Sequence, residues 1–138
     1  MWIATEKGFF SIVKDTVTGS MLVRARKKRD LKQLFPGKKI ITDRNKDYAY
    51  RVFATQDEVA EKLFDLGLEI EYHNFKSHIG ETKNQKDKLP FYGQIWSIMN
   101  DYQSKFIKAL YHFSPTDPLD YYTERYGDVE IEEEEIHR

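Results

Sequence analysis

Three arginines stand in segments whose alternating pattern predicts β-strand. Arg24 and Arg26 are two residues apart in the predicted strand 21–26, so their side chains project from the same face. Arg51 lies in the middle of a second predicted strand, 47–54. A guanidinium group is a planar fork of donors that matches the oxygens of phosphate and carboxylate groups. If the two strands are neighbours, these arginines form a cluster suited to an anionic, nucleotide-like or phosphorylated ligand, or to an acidic partner.

Four further residues complete the predicted ligand-binding site: Tyr48, Tyr50, Asn74 and Lys76. Strand alternation places Tyr48 and Tyr50 on the face opposite Arg51, so the tyrosines can share the site only at a sheet edge or through a bulge. The alternative interpretation is that the arginines line the solvated face of a half-covered sheet and pair there with carboxylates, which is the common fate of exposed charges.

The elements that must position these residues follow from periodicity. The pattern predicts strands over 2–5, 9–15, 21–26 and 47–54, helices over 29–35, 56–66 and 89–113, a basic loop over 38–46 and a mobile loop over 77–88. Thr55 and Glu58 have the spacing of a capping box, and Gly67 suits the end of that helix. The order predicts a small α+β domain, in which a mostly antiparallel sheet carries helices on one face. A ferredoxin-like variant is one form of it.

The helix 89–113 carries an apolar stripe that needs a surface to pack on, and the preceding segments offer one. Apolar residues beyond this stripe make a second buried face plausible. Pairing of this helix between subunits is therefore the alternative function, that of a protein-interaction or structural homo-oligomer.

Composition bounds the class of protein. The chain has 138 residues, of which 40% are hydrophobic, enough for the core of about one domain. It contains no cysteine, which excludes disulfide and thiolate chemistry. Since no apolar run approaches the roughly 18 residues of a membrane span, we expect a soluble, cytoplasmic protein. One globular domain over 1–118 is predicted, followed by a partly disordered acidic tail over 119–138.

Charge is distributed unevenly along the chain. Residues 1–51 contain 13 Lys and Arg against five Asp and Glu, whereas residues 117–138 contain two against nine. A basic half with interleaved aromatic residues could contact nucleic acid, but the pI near 6.4 and the lack of a nucleic-acid-binding motif disfavour this. The acidic run 130–135 could occupy a basic groove on this chain or on a partner, or could serve only as a solubilising end.

Catalytic and metal-binding motifs are missing from the sequence. It contains no G-x-S-x-G, P-loop, G-x-G-x-x-G or H-E-x-x-H pattern. His73 and His78 are five residues apart, with no carboxylate at metal-ligand spacing. We therefore expect no cofactor and no metal, and the leading hypothesis is a non-enzymatic binding protein. A nucleotide-processing enzyme is the third hypothesis.

Five segments together resemble one family. The opening MWIATEKGFFSIV is followed in order by LVRARKKRDL, DYAYRV, EIEYHNFK and a Y-x-x-I-W-S-I-M helix. This arrangement is similar to that of a group of small bacterial and phage-associated proteins with no established activity. The resemblance covers these residues: Arg24, Arg26, Asp30, Asp47, Tyr48, Tyr50, Arg51, Tyr72, Asn74, Phe75, Lys76, Tyr92 and Trp96. It implies shared residues and, through the phage association, interference with host machinery as a form of the interaction hypothesis.

Overall fold

The computed structural model of the chain describes residues 1–112, with side chains as far as residue 107. The chain divides into two compact units, Met1–Tyr92 and Gly93–Arg138. The predicted boundary near residue 118 and the predicted acidic tail lie outside the described residues. No helix in the described part is both long and apolar enough to cross a membrane.

The first unit contains a five-stranded sheet in which every strand pair is antiparallel. The strands are β1 Trp2–Thr5, β2 Gly8–Lys14, β3 Met21–Ala25, β4 Ile41–Thr42 and β5 Tyr50–Ala54. Their spatial order is β1-β2-β3-β5-β4. The predicted α+β class is confirmed. Three strands precede the first helix, so the chain does not follow the β-α-β-β-α-β order of the ferredoxin-like variant.

The helices are α1 Lys28–Leu34, α2 Gln56–Leu68, α3 Phe75–Glu81 and α4 Leu89–His112, with a 3-10 turn at Lys86–Lys88. The predicted capping box begins α2. The Thr55 hydroxyl accepts a hydrogen bond from the Glu58 amide at 3.1 Å, and the Glu58 carboxylate accepts one from the Thr55 amide at 3.1 Å. The helix continues through Gly67 to Leu68, so the predicted end at Gly67 is wrong.

The core lies between one face of the sheet and helices α1 and α2. Alternation along the strands directs every second side chain to this face, and both helices add apolar residues to it. The core residues are Phe10, Ile12, Val23, Ala25, Leu31, Leu34, Phe35, Val52, Ala54 and Val59. The other face of the sheet carries Ser11, Arg24 and Arg51, which are in register with one another.

Two segments predicted as loops are ordered elements. Ile41 and Thr42 form the short edge strand β4 against β5, although its pattern gave no strand signal. The predicted mobile loop 77–88 is occupied by most of α3 and the 3-10 turn. Ile79 and Gln85 in this region have no exposed surface. Tertiary packing therefore orders a polar segment whose composition alone is typical of a loop.

The long helix spans the predicted range to within one residue, and the part of its apolar stripe whose side chains are described is buried only in part. Tyr92, which belongs to the first unit, is only 6% exposed. Ile95, Met99 and Tyr102 are each about half exposed.

Candidate functional site

Arg24 and Arg51 meet at the centre of the sheet face that α1 and α2 leave uncovered. β3 and β5 are adjacent, and the register places Arg24 directly opposite Arg51. On its other side Arg24 lies opposite Ser11 of β2, and its Nη2 donates a 2.7 Å hydrogen bond to the Ser11 hydroxyl. Three neighbouring strands thus place Ser11, Arg24 and Arg51 side by side on one face of the sheet.

The charge at this place is poorly balanced. Like charges directly opposite each other on antiparallel strands destabilise a sheet. Among the described residues, Asp47 is the one carboxylate within ion-pair distance of either guanidinium, at 3.7 Å from Nη2 of Arg51, and its side chain is 67% exposed. The Arg51 side chain is 18% exposed. The buried Nε of Arg24 has no hydrogen-bond partner in the described part of the chain. A donor left in this way is costly unless something accepts from it.

Tyr48 joins the arginines, contrary to the predicted alternation. It precedes β5, which begins at Tyr50, so the alternation of the strand does not govern its side chain. Its ring is 4% exposed, and the guanidinium carbons of Arg24 and Arg26 lie 4.8 Å and 4.1 Å from the ring centroid. Cation–π attraction holds both side chains against the ring. The Tyr48 carbonyl also accepts a hydrogen bond from Nε of Arg51 at 3.4 Å.

The remaining predicted contacts lie in other settings. Tyr50 pairs with Ala25 in β3 and packs against the core, so the sheet separates it from the arginines, as strand alternation predicts. The Asn74 side chain caps α3 by accepting a hydrogen bond from the Ser77 amide at 2.9 Å. Lys76 is partly buried in the first turn of α3. The arginines and Tyr48 alone form the candidate site.

A second basic concavity is less suited to fixed recognition. A groove of about 460 Å³ beside the end of α1 is lined by Lys28, Lys32 and Lys38 over Phe35 and Ile40. Lys28 and Lys32 are exposed, and Lys38 forms an ion pair with Glu58. Flexible, solvated lysines bind anions as point charges rather than in one geometry. The arginine pair is therefore the better candidate.

Sequence reasoning did not anticipate a buried polar network beside the hairpin of β1 and β2. Asp30 and Gln85 are at most 1% exposed. Lys88 Nζ donates to Oδ1 of Asp30 at 2.9 Å and to Oε1 of Gln85 at 3.0 Å. Gln85 Nε2 donates to Oδ1 of Asp30 at 3.2 Å and to the Lys7 carbonyl at 3.0 Å. These bonds tie α1, the hairpin and the 3-10 turn together, so the network is structural. One signal was available, a carboxylate beside the apolar Leu31 in a short amphipathic helix.

Tyr92 closes this region with a cluster of aromatic rings. Its ring centroid lies 5.4 Å from that of Phe75 and 6.4 Å from that of Phe9. Its buried hydroxyl has no hydrogen-bond partner among the described residues. Burial, with the nearby carboxylates of Asp30 and Asp87, raises the pKa of the Tyr92 phenol well above its ordinary value.

This shift predicts a loss of stability in alkaline solution. The unfolded chain gives up the Tyr92 proton near pH 10, before the folded chain does, so unfolding releases a proton above that pH. The contribution of Tyr92 to the free energy of unfolding is intact below about pH 10. Above that pH it falls by up to about 1.4 kcal/mol per pH unit. Urea unfolding of Tyr92→Phe should show a shallower fall of the free energy of unfolding over about pH 9.5–11. At neutral pH the variant should be at least as stable as the wild type, because the buried hydroxyl has no hydrogen-bond partner among the described residues and its removal ends a desolvation cost. Parallel pH profiles would contradict the assignment.

A third group of polar side chains lies near α3. His78 Nε2 and Glu6 Oε2 are 2.7 Å apart, and the ring of Tyr72 stacks on that of His78 with centroids 4.6 Å apart. Within the described residues, no three His, Asp or Glu side chains are grouped to hold a metal ion. Glu6 and His78 form a partly exposed polar contact that joins the hairpin to α3.

Comparisons of the chain with protein-family models, with curated proteins and with solved structures give no match.

Proposed function

We propose that the protein is a non-enzymatic binding protein for a ligand that carries a phosphate or carboxylate group. One observation carries the proposal. Arg24 and Arg51 are partly buried and directly opposed across two strands, and among the described residues the exposed Asp47 carboxylate is within ion-pair distance of Arg51 but not of Arg24. An anion bound beside the two guanidinium groups would offset the repulsion between them by accepting charge-assisted hydrogen bonds. Because binding relieves the repulsion between the two cations that is present in the free protein, this relief adds to the affinity for the ligand.

The surroundings of the pair favour a fixed geometry for such a ligand. The Ser11 hydroxyl orients Arg24, and the ring of Tyr48 contacts both Arg24 and Arg26. Guanidinium groups held in this way lose little side-chain freedom on binding, which improves affinity. Arg26 is exposed and could reach a second anionic group of the same ligand. A phosphorylated small molecule or nucleotide fits this arrangement.

Thermal unfolding in inorganic phosphate tests the site, with sodium chloride at matched ionic strength as the reference. We expect phosphate to raise the Tm of the wild type, since a ligand that binds the folded state stabilises it. Arg24→Ala with Arg51→Ala should abolish the increase and leave a cooperative transition. Arg24→Lys with Arg51→Lys should lose most of it, because lysine keeps the charge without the planar fork.

The matched control is Arg44→Ala with Lys46→Ala, which removes the same charge from two exposed positions. It should keep the full phosphate effect, whereas general electrostatic attraction would weaken both double variants equally. An unchanged increase in the Arg24 and Arg51 double variant overturns the proposal. Conversion of nucleotides during incubation with the protein would overturn its non-enzymatic part.

Exposure of the α4 stripe favours a second candidate function, contact with another protein through a homo-oligomer. Ile95, Met99 and Tyr102 present apolar surface at helical spacing. This arrangement is typical of helices that pair between subunits. Light scattering tests it, because a protein that is monomeric at high micromolar concentration contains no stable oligomer of this kind.

A further inference from the structure

Within residues 1–112, the outer edge of β1 is an unprotected strand edge. β1 is the first strand of the sheet, and no described strand pairs with its outer side. Natural proteins blunt such edges with charges, prolines or bulges because a free edge recruits other strands. β1 reads Trp2-Ile3-Ala4-Thr5 and contains none of these devices. It also presents Trp2 with 74% of its surface exposed.

The hydrogen-bond pattern shows which backbone groups are available on this edge. Met1 and Ile12 exchange both of their backbone hydrogen bonds, each at 2.8 Å. Antiparallel pairs alternate between hydrogen-bonded and non-hydrogen-bonded, so Ile3 is also bonded to β2, while Trp2 and Ala4 are not. The N–H and C=O groups of Trp2 and Ala4 therefore point away from β2, toward any strand that docks there.

An apolar groove runs along the same edge. Its volume is about 180 Å³, and Ile3 lines it together with Leu63, Leu66 and Ile70. Five exposed large apolar residues of the first unit lie in or next to β1 and the C-terminal half of α2: Met1, Trp2, Phe64, Leu68 and Ile70. Each is more than half exposed. Together they present roughly 600 Å² of surface, near the ~800 Å² per partner of a standard interface.

We propose that a second copy of this chain occupies the edge, with the two β1 strands antiparallel about a two-fold axis at Ile3. In this register Trp2 lies opposite Ala4 of the second copy and exchanges both backbone hydrogen bonds with it. The symmetric pair does the same, which gives four hydrogen bonds. The two sheets then form one continuous ten-stranded sheet, and the interface is isologous.

The side chains of β1 are self-complementary in this register. Large Trp2 meets small Ala4 on one face. On the other face Ile3 meets Ile3 of the second copy in a close, non-hydrogen-bonded pair, and Met1 lies opposite Thr5. Met1 and Ile3 of each copy thereby extend over the groove of the other. Residues 1–5 carry no charged side chain, so no like charges are brought together.

Sedimentation and light scattering of the full chain over a concentration series test the proposal, with Ala4→Pro as the diagnostic variant. Proline removes an N–H that β1 does not use within the chain and is tolerated on edge strands. We expect dimers for the wild type and for the control Ala4→Ser. Ala4→Pro should dimerise at least tenfold more weakly, and its circular dichroism spectrum should be the same as that of the wild type. A variant with Ile95→Glu and Met99→Glu should still dimerise.

A cysteine cross-link reads the register directly and does not depend on the folding of the proline variant. The chain has no cysteine, and Ile3→Cys places one thiol on the two-fold axis. Non-hydrogen-bonded antiparallel pairs bring Cβ atoms close enough for a disulfide. Mild oxidation should link Ile3→Cys into dimers, whereas the 90% exposed control Val17→Cys should link only at the rate of random collision. A monomeric wild type, a dimer unaffected by Ala4→Pro, or equal cross-linking of both cysteine variants overturns the proposal.

Discussion

Asp30→Ala is expected to lower the free energy of unfolding by about 3–5 kcal/mol, as removal of one partner from a buried ion pair does. The Lys88 side chain is 13% exposed and would lose its carboxylate, and Gln85 would lose an acceptor in a site with no exposed surface. The ammonium group must then stay desolvated without a counter-charge or break the packing of the 3-10 turn. Equilibrium unfolding in urea, followed by circular dichroism, measures the change.

Asp87→Ala is the matched control for this result. Asp87 also pairs with a cation, Arg29, but its side chain is 49% exposed and that of Arg29 is 40% exposed. Exposed pairs contribute between about zero and 1 kcal/mol, because water screens the charges and solvates each group when the other is removed. Equal losses in Asp30→Ala and Asp87→Ala would show that the buried network adds nothing beyond an ordinary surface pair.

Gly8→Ala is expected to cost about 3 kcal/mol, the upper part of the range for overpacking a tight site. A Cβ atom at Gly8 would lie 2.5 Å from both Cβ and Cγ of Asp30. The aspartate cannot move aside, because Lys88 and Gln85 hold its carboxylate. Either the hairpin or α1 must therefore shift, and both carry core residues. The same urea measurement gives the size of the loss.

The control for Gly8 is Gly67, which lies in a helix rather than in a tightly packed strand. Gly67 lies within α2, and a Cβ there would meet nothing within 4 Å. Gly67→Ala should raise the free energy of unfolding by about 0.5–1 kcal/mol, since alanine is the better helix former. Similar destabilisation of both variants would mean that the close approach to Asp30 is not the cause.

Local pattern in the sequence determined much of the architecture. The hairpin around Gly8, the strand 21–25, the Thr55 capping box and the 89–112 helix all depend on neighbours within a few residues, which periodicity and turn chemistry can show. The α+β class followed from the order of these elements. The placement of Arg24 on one face of its strand also followed, because strand alternation is a local property.

Only the tertiary structure decided how the site is assembled. The pairing of Arg24 with Arg51 depends on which strands become neighbours and in which register, and no local pattern specifies that. Tyr48 reaches the arginines because β5 begins two residues after it, so the expected alternation does not extend to its side chain.

Packing between distant elements also explains the network of Asp30 with Lys88 and the ordering of the segment 75–88. Asp30 and Lys88 are more than fifty positions apart in the chain, and the burial of Asp30 is created by packing between elements. Propensity and composition describe a residue among its chain neighbours, so they predict a polar loop for this segment. Asp30 and Ile79 become buried only when the sheet and the helices pack together.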